Sequence, residues 1–408
     1  MKSDSTMDFA SSIIWALATL MYASFFIFNI SSISSFSIII LSMAMLIIAV
    51  WKNHGKLTIK DNLFFLYMLL WSIFCFASAI WAEQPDRAIS KGITIIEILI
   101  CMIAVKIAFE SIDDPVRSLL TAVQWGGVVV ALYTIAIYGV SNLMNMISLQ
   151  KRLGTEFTNT NAVGMVMAIS ITLTVFFSIV YEWKWKYLLS FFCLFILIIT
   201  ESRTALVELI FGVFAVIYFK RFSRHNFVIY IPRIILFVFV FYFVIIFLSE
   251  FSFFSGIRDR MEGLIALFSG NGIADHSALV RQAYIRAGIE QFIKTPFFGI
   301  GIDNSSLITV TVEGHRTYLH NNYAELLSCG GLIGFFTYYS IHINCISRLV
   351  KSSIRNNPMN SICLVVVIMI LISDYGTVSY YDKDTYFLLL IPYLQIRVGK
   401  EKGGDLKW

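Results

Sequence analysis

The stretch NAVGMVMAISITLTVFFSIV, residues 161–180, decides the fold because it runs through twenty positions without a charged residue. A helix of this length rises about 30 Å, which matches the hydrocarbon thickness of a bilayer. Comparable apolar stretches recur along the chain, at about 9–29, 34–51, 62–82, 89–109, 118–140, 161–181, 186–200, 203–219, 229–249, 320–347, 360–378 and 385–397. The pattern predicts an all-α, polytopic membrane helix bundle with about twelve transmembrane helices.

The composition of the 408 residues supports this interpretation. Hydrophobic residues make up 58% of the chain, charged residues 14%, and the mean hydropathy is +0.77. A soluble chain carries about 25% charged residues, so nucleic-acid binders, secreted disulfide scaffolds and cytosolic enzymes are excluded. All six cysteines lie in apolar runs without a CxxC pair, which argues against disulfides and metal ligation.

The connections define one domain and its orientation. No internal repeat or flexible linker divides residues 1–408, and only one connection, residues 250–319, is long. Lys and Arg accumulate on the cytoplasmic side of membrane proteins. Of the 31 Lys and Arg residues, 19 fall on the side that carries both termini. We therefore expect cytoplasmic termini, with residues 250–319 forming an extracytoplasmic loop.

Several polar residues on the predicted outer side are unusual in a membrane chain, where a cation beside a span needs a partner or a task. Arg203 stands between two apolar runs, and Arg152 lies in a polar connection. Glu208, about one turn deeper than Arg203, could pair with it or hold a neighbouring polar group. The alternative is that Arg203 snorkels to the surface and only anchors a helix end.

Residues 281–294 have the spacing of an amphipathic helix, which Pro296 and the Gly-x-Gly turn at 299–301 would end. Its apolar stripe leaves Arg281 and Arg286 on opposite edges. A helix along the membrane surface would therefore place two guanidiniums at headgroup depth. The alternative is an interfacial helix whose arginines only contact lipid phosphates.

His320 begins the next apolar run, followed by Asn321 and, one turn later, Glu325. A histidine at this position often caps or packs a helix, but it can also accept a proton near neutral pH. Arginine binds phosphate through two hydrogen bonds and remains charged. We therefore expect chemistry on an anionic, lipid-linked substrate. No carboxylate-rich metal motif accompanies these residues on the outer side, which favours a reaction without a metal or other cofactor.

At these residues the chain resembles the O-antigen ligase/polymerase superfamily of bacterial membrane glycosyltransferases. The match is His320-Asn321, nine residues, and then the sequence GLIG at 331–334. Three further segments are similar to family segments, namely VRQAYIRAGIEQFIKTPFFGIGIDN at 280–304, TESRTAL at 200–206 and RLGTEFTNTNAVG at 152–164. The layout of about twelve spans with one long outer loop before the histidine also agrees.

The resemblance implies undecaprenyl-diphosphate-linked glycan donors and an inverting transfer that needs no metal. It implies that His320 is the base or the residue that positions the acceptor, and that Arg203 and Arg281 bind the diphosphate. Arg152 is a further candidate carried over from the polar segment, whereas Arg286 has no family counterpart. Asn321, Glu325 and Glu208 are expected to support the site.

We therefore expect a glycosyltransferase that polymerises lipid-linked repeat units of a surface polysaccharide (O-antigen, capsule or exopolysaccharide) outside the bacterial plasma (inner) membrane. A composition rich in Phe, Ile and Lys hints at an A/T-rich genome, common in bacteria without lipopolysaccharide, which favours a polymerase. The alternatives are an O-antigen ligase that transfers glycan to lipid A-core and a lipid-linked oligosaccharide flippase. Expected partners are the donor, a glycan acceptor, membrane lipids, a flippase and a chain-length regulator, but no nucleic acid.

Overall fold

The structure is a computed structural model that describes residues 8–28, 31–55, 63–149, 153, 159–222, 276–351 and 357–402. Within these ranges the chain forms fourteen α-helices, one 3₁₀ turn at Lys184–Lys186 and no β-strand. The helices are α1 (Phe9–Ile27), α2 (Ser31–Lys52), α3 (Leu63–Ser78), α4 (Pro85–Glu110), α5 (Pro115–Tyr138), α6 (Val140–Ser148), α7 (Thr160–Val180), α8 (Tyr187–Thr200), α9 (Arg203–Phe222), α10 (His276–Lys294), α11 (Ser306–Glu313), α12 (Asn322–Lys351), α13 (Pro358–Ser373) and α14 (Lys383–Lys402).

Six of the described helices are long and apolar enough to cross a membrane, namely α1, α2, α4, α5, α7 and α12, and α3 and α13 are shorter apolar helices. The prediction of an all-α, polytopic membrane bundle is confirmed. The number of twelve crossings stays a prediction, and the expected span at 229–249 lies outside the described residues.

Helix α7 lies inside the bundle, where it packs against α5, α8, α9 and α13. Small and polar residues allow the closest of these contacts. A Cβ added to Gly127 of α5 would lie 2.6 Å from the Cβ of Ser170. The Gln124 side chain donates a hydrogen bond of 2.7 Å to the Thr174 hydroxyl. Close approach of small residues and hydrogen bonds between helices are the usual means of holding membrane helices together.

Helix α12 is broken at Gly331, whose φ of 61° and ψ of −165° are not helical. The turn that follows α10 fits into this break, because the Leu332 amide donates to the Pro296 carbonyl at 2.8 Å. A Cβ on Gly331 would lie 2.4 Å from the carbonyl carbon of Phe297. Gly331 thus permits a loop backbone to reach the helix, and this contact fixes α10 against α12.

Helix α10 begins five residues before the predicted start at 281 and ends at Lys294, just before Pro296, as predicted. Ile289 and Ile293 of the predicted apolar stripe are exposed on the surface. The opposite face is buried through Tyr284, which forms a small core with three residues of the following segment. These are Ile308, Leu319 and Ala324. This packing places the helix that carries Arg281 beside the start of α12.

Candidate functional site

The connection from α11 to α12 holds His320 in a left-handed backbone conformation, with φ of 56°. This region is costly for a residue with a Cβ, so the surroundings must hold it. The buried carboxylate of Glu325 contributes to this by joining the residue before His320 to the start of α11. One oxygen accepts a hydrogen bond of 2.9 Å from the Leu319 amide, and the other accepts one of 2.5 Å from the Ser305 hydroxyl. Glu325, expected to support the site, fixes the residue next to His320.

Two asparagines attach the start of α12 to the connection between α13 and α14, residues 374–382. The Asn321 side chain donates to the Tyr375 carbonyl at 3.1 Å, and its oxygen accepts from the Ala324 amide at 2.9 Å. The Asn322 oxygen accepts from the Ser379 amide at 3.1 Å. Asn321 was expected from the sequence. Asn322, its neighbour in the same motif, was not assigned a role.

Two tyrosine rings lie against the imidazole of His320. The Tyr318 ring centre is 4.2 Å from it, and the Tyr284 ring lies nearly parallel to it at 6.3 Å. The buried Nδ1 of His320 has no hydrogen-bond partner within the described residues. Neither tyrosine was identified from the sequence. The one available signal was the position of Tyr284, which lies about one helical turn after Arg281.

The half-buried side chain of Arg281 lies close enough to act electrostatically on both His320 and Tyr318. Burial and, after it, the Arg281 charge lower the pKa of His320 from 6.5 to about 4. The imidazole is therefore neutral at neutral pH and able to accept a proton. The structure thus brings together two of the residues that the sequence singled out.

Arg203 is the first residue of α9 and is half-buried. The next residue, Thr204, lies beside the connection to α14, since a Cβ on Gly376 would be 2.5 Å from the Thr204 hydroxyl oxygen. Asn321 bonds to the neighbouring residue of this connection, so Arg203 and His320 share one end of the bundle. We call it the His320 end. Glu208 is 1% exposed, and neither carboxylate oxygen has a hydrogen-bond partner among the described residues.

The other two candidate arginines do not join this group in the described structure. Arg286 has an 82% exposed side chain, and its Nε donates to Glu290 at 3.1 Å. Five positions separate it from Arg281, so the two side chains leave α10 about 140° apart. Arg152 lies outside the described residues. Roles for Arg286 and Arg152 in diphosphate binding stay predictions.

The His320 end also contains a pocket of about 160 Å³. Its walls come from the start of α7, from Tyr318 and from the connection between α13 and α14. In the part of the chain that the structure describes, no group of three or more His, Cys, Asp or Glu residues is arranged to hold a metal ion. A neutral imidazole beside a guanidinium can accept a proton from a hydroxyl while the cation stabilises an anion.

Residues 188–339 match the family model described as O-antigen ligase. The matched range runs from α8 into α12 and contains Arg203, Arg281 and His320. The match supports the resemblance to the O-antigen ligase/polymerase superfamily and a glycosyltransferase-type activity in general. A comparison of the chain with curated proteins found no match.

Proposed function

We propose that this protein acts as a polymerase of the O-antigen ligase/polymerase superfamily and joins undecaprenyl-diphosphate-linked repeat units of a cell-surface polysaccharide. The observation that supports this most strongly is the neutral His320 imidazole beside Arg281, within the range that matches the family. Its Nδ1 has no hydrogen-bond partner among the residues that the structure describes. A glycosyl transfer from a lipid diphosphate needs both elements, a base for the acceptor hydroxyl and a cation for the leaving group.

In the proposed reaction, an acceptor sugar hydroxyl gives its proton to the imidazole of His320. The oxygen attacks the anomeric carbon of the donor from the side opposite the diphosphate, so the configuration inverts. The bond between the anomeric carbon and the diphosphate oxygen breaks, and undecaprenyl diphosphate leaves with the electron pair. Arg281 and Arg203 stabilise its charge through bidentate hydrogen bonds, without a metal ion or a cofactor. Arg286 and Arg152 are proposed as further phosphate ligands.

The donor itself would adjust the base. Arg281 lowers the pKa of His320, and a bound diphosphate would offset that positive charge. The pKa of His320 would therefore rise when the donor binds, which makes the imidazole a stronger base when a transfer can occur. Glu325 and Asn321 act as positioning residues, because their hydrogen bonds fix the backbone on either side of His320.

We place the protein in the bacterial plasma membrane with both termini in the cytoplasm and the His320 end outside. The distribution of Lys and Arg supports this orientation. A flippase would then deliver the donor to the outer face, and a chain-length regulator is an expected partner.

A second candidate function is an O-antigen ligase, because the matching family model carries that description. The two activities share the donor and differ in the acceptor, which is lipid A-core for a ligase. Purified protein in liposomes, given the lipid-linked repeat unit with and without lipid A-core, separates them. A polymerase forms longer lipid-linked glycans in both samples, whereas a ligase forms product only when lipid A-core is present. A flippase would move the lipid across the bilayer without a new glycosidic bond, and that result would reject both enzyme assignments.

A further inference from the structure

The pocket at the His320 end presents polar groups that the reaction described above does not use. It has a volume of about 160 Å³, a size suited to one sugar ring rather than to a long glycan. Its polar walls are made by six residues in particular, Asn159, Tyr318, Thr377, Ser379, Tyr381 and Asp382. Hydroxyl, amide and carboxylate groups around a small cavity are what a polyhydroxylated ligand requires.

We propose that this pocket binds the terminal sugar of the acceptor glycan, with Asp382 accepting hydrogen bonds from its hydroxyls. The inference deepens the proposed function and rests on it. The chemical class is a neutral sugar, as opposed to one that carries a carboxylate.

The position of Asp382 supports this role. The side chain is half-buried, and its carboxylate makes no hydrogen bond or ion pair with any residue that the structure describes. The two neighbouring cations are engaged elsewhere. The Lys91 Nζ lies 3.5 Å from the Tyr381 ring centre and 3.9 Å from the Asp303 carboxylate. The Lys383 Nζ donates to the hydroxyls of Ser34 and Ser35. The carboxylate is therefore available to accept hydrogen bonds, which sugar hydroxyls would donate.

The apolar walls of the pocket suit the faces of a sugar ring. Ala162 and Met165 of α7 line one part of it, and the rings of Tyr318 and Tyr381 line others. Ligand pockets commonly combine such apolar and aromatic surfaces with a few directed polar groups. Asn159 lies at the rim, where its side chain amide is 3.5 Å from the Tyr318 hydroxyl. These walls would hold the ring while Asp382 fixes its orientation.

Charge would direct the acceptor sugar to the pocket and the donor diphosphate to Arg281. Burial and the adjacent Asp384 raise the pKa of Asp382 well above its usual value, because these surroundings disfavour negative charge. A diphosphate or an acidic sugar would therefore be disfavoured there, whereas Arg281 attracts the diphosphate. Tyr318 connects the two sites, because it lines the pocket and its ring lies 4.2 Å from that of His320.

A smaller cavity of about 30 Å³ continues the pocket into the bundle, where Asp384 and Ser373 line both. It ends at Glu208, whose buried carboxylate has no hydrogen-bond partner among the described residues. A hydroxyl-bearing substituent of the bound sugar, or water that fills the cavity below it, would donate to Glu208. Glu208 would therefore accept hydrogen bonds in the smaller cavity as Asp382 does in the pocket.

The test separates acceptor from donor kinetically in the full-length protein in liposomes. A soluble repeat-unit oligosaccharide without diphosphate serves as acceptor, and the undecaprenyl-diphosphate-linked repeat unit serves as donor. We expect Asp382→Asn to raise the acceptor KM about tenfold, the size expected for a lost hydrogen bond, and to leave the donor KM unchanged. Asp382→Glu should recover part of the affinity. Glu313→Gln, which alters an exposed carboxylate on α11, is the matched control and should change neither KM.

An unchanged acceptor KM in Asp382→Asn, or equal increases for acceptor and donor, would overturn the assignment of the pocket. Arg281→Lys provides the reverse comparison, because it should raise the donor KM alone. Saturation-transfer NMR measures binding of the soluble oligosaccharide and tests the pocket without turnover. The unfolding temperature of each variant shows whether it is folded. Wild-type protein that binds the oligosaccharide but forms no glycan would reject the proposed function and retain the pocket. Loss of activity with no effect of Asp382→Asn on binding would reject the pocket.

Discussion

Both ends of the bundle place cations beside aromatic rings, but they satisfy their polar groups differently. At the opposite end, which we call the Trp183 end, Lys186 lies 3.9 Å from the Trp183 ring centre and donates to the Gln124 side chain oxygen at 3.1 Å. Arg117 lies 4.6 Å from the same ring. At the His320 end, by contrast, the buried imidazole Nδ1 has no hydrogen-bond partner within the described residues, and the Asp382 carboxylate lines a pocket.

This difference distinguishes a cation that stabilises the fold from groups that await a substrate. Buried polar groups in native proteins are nearly always hydrogen-bonded, and each exception requires an explanation. The Lys186 ammonium is buried and engaged, and burial together with Arg117 lowers its pKa to about 8. The His320 imidazole and the Asp382 carboxylate instead adjoin Arg281 and a pocket. Four predictions test whether this comparison separates structure from function.

The largest effect is expected for His320→Ala. Without the base, transfer should fall about 10²–10⁴-fold, measured as glycan formed by purified protein in liposomes. The control is His315→Ala, an exposed histidine in the same connection, which should retain wild-type activity. Normal product from the His320 variant would show that His320 is not the base and that the His320 end is not the catalytic end of the bundle.

The next largest effect is expected for Gly331→Ala, which disrupts the contact between α12 and the turn after α10 that holds α10 in place. The backbone conformation of Gly331 is essentially restricted to glycine and costs about 1–3 kcal/mol for a residue with a Cβ, and overlap with the loop backbone costs about 1–3 kcal/mol more. The unfolding temperature and the yield of folded protein should both fall. Gly314→Ala is the matched control, because Gly314 also has a positive φ but a Cβ added there would meet no atom within 4 Å. Equal losses in the two variants would show that the contact at the break of α12 contributes nothing.

A smaller and more specific effect is expected for Arg281→Gln on the pH dependence of kcat/KM. In the wild type, activity should rise as His320 loses its proton near pH 4 and stay high towards neutral pH. Removing the Arg281 charge raises the pKa of His320 towards its usual value, so this rise should shift to higher pH. Burial persists in the variant, so the shift stops short of the usual value. The control Lys294→Gln, on the same helix, should leave the profile unchanged, and an unshifted profile for Arg281→Gln would contradict the pairing.

The smallest effect on activity is expected for Lys186→Met at the Trp183 end. The Gln124 oxygen loses its donor, so the free energy of unfolding should fall by about 1 kcal/mol. Transfer per folded molecule should stay within about twofold of the wild type, since Lys186 has no part in the chemistry. A loss of transfer like that of the His320 variant would show that the two ends do not differ as proposed.

The sequence predicted the helices well because hydropathy reports burial in lipid directly. The stretch at 203–219 corresponds to α9, and Pro296 correctly marked the end of α10. The short helix α6, Val140–Ser148, was not predicted. Gly334 faces the Phe74 ring of α3, whereas Gly331 receives a loop backbone. That contact joins segments distant in sequence, and no local pattern reports it.

The sequence predicted those site residues that lie close together in one motif. It did not predict those that only the folded structure brings together. His320, Asn321 and Glu325 lie within two helical turns, so their spacing alone grouped them. Asp382 follows His320 by about sixty residues in a connection without a recognisable pattern, and only the packing of the 374–382 connection brings it to the pocket beside Tyr318. Such a residue can be assigned to the site only from the structure.

The most direct test of the central claim measures both products of transfer in one reaction. Purified protein in liposomes receives the lipid-linked repeat unit in the presence of EDTA, and new glycosidic bonds and released undecaprenyl diphosphate are counted. The account predicts equal amounts of both for the wild type and neither for His320→Ala. Lipid translocation without bond formation, or activity that EDTA abolishes and magnesium restores, would contradict it.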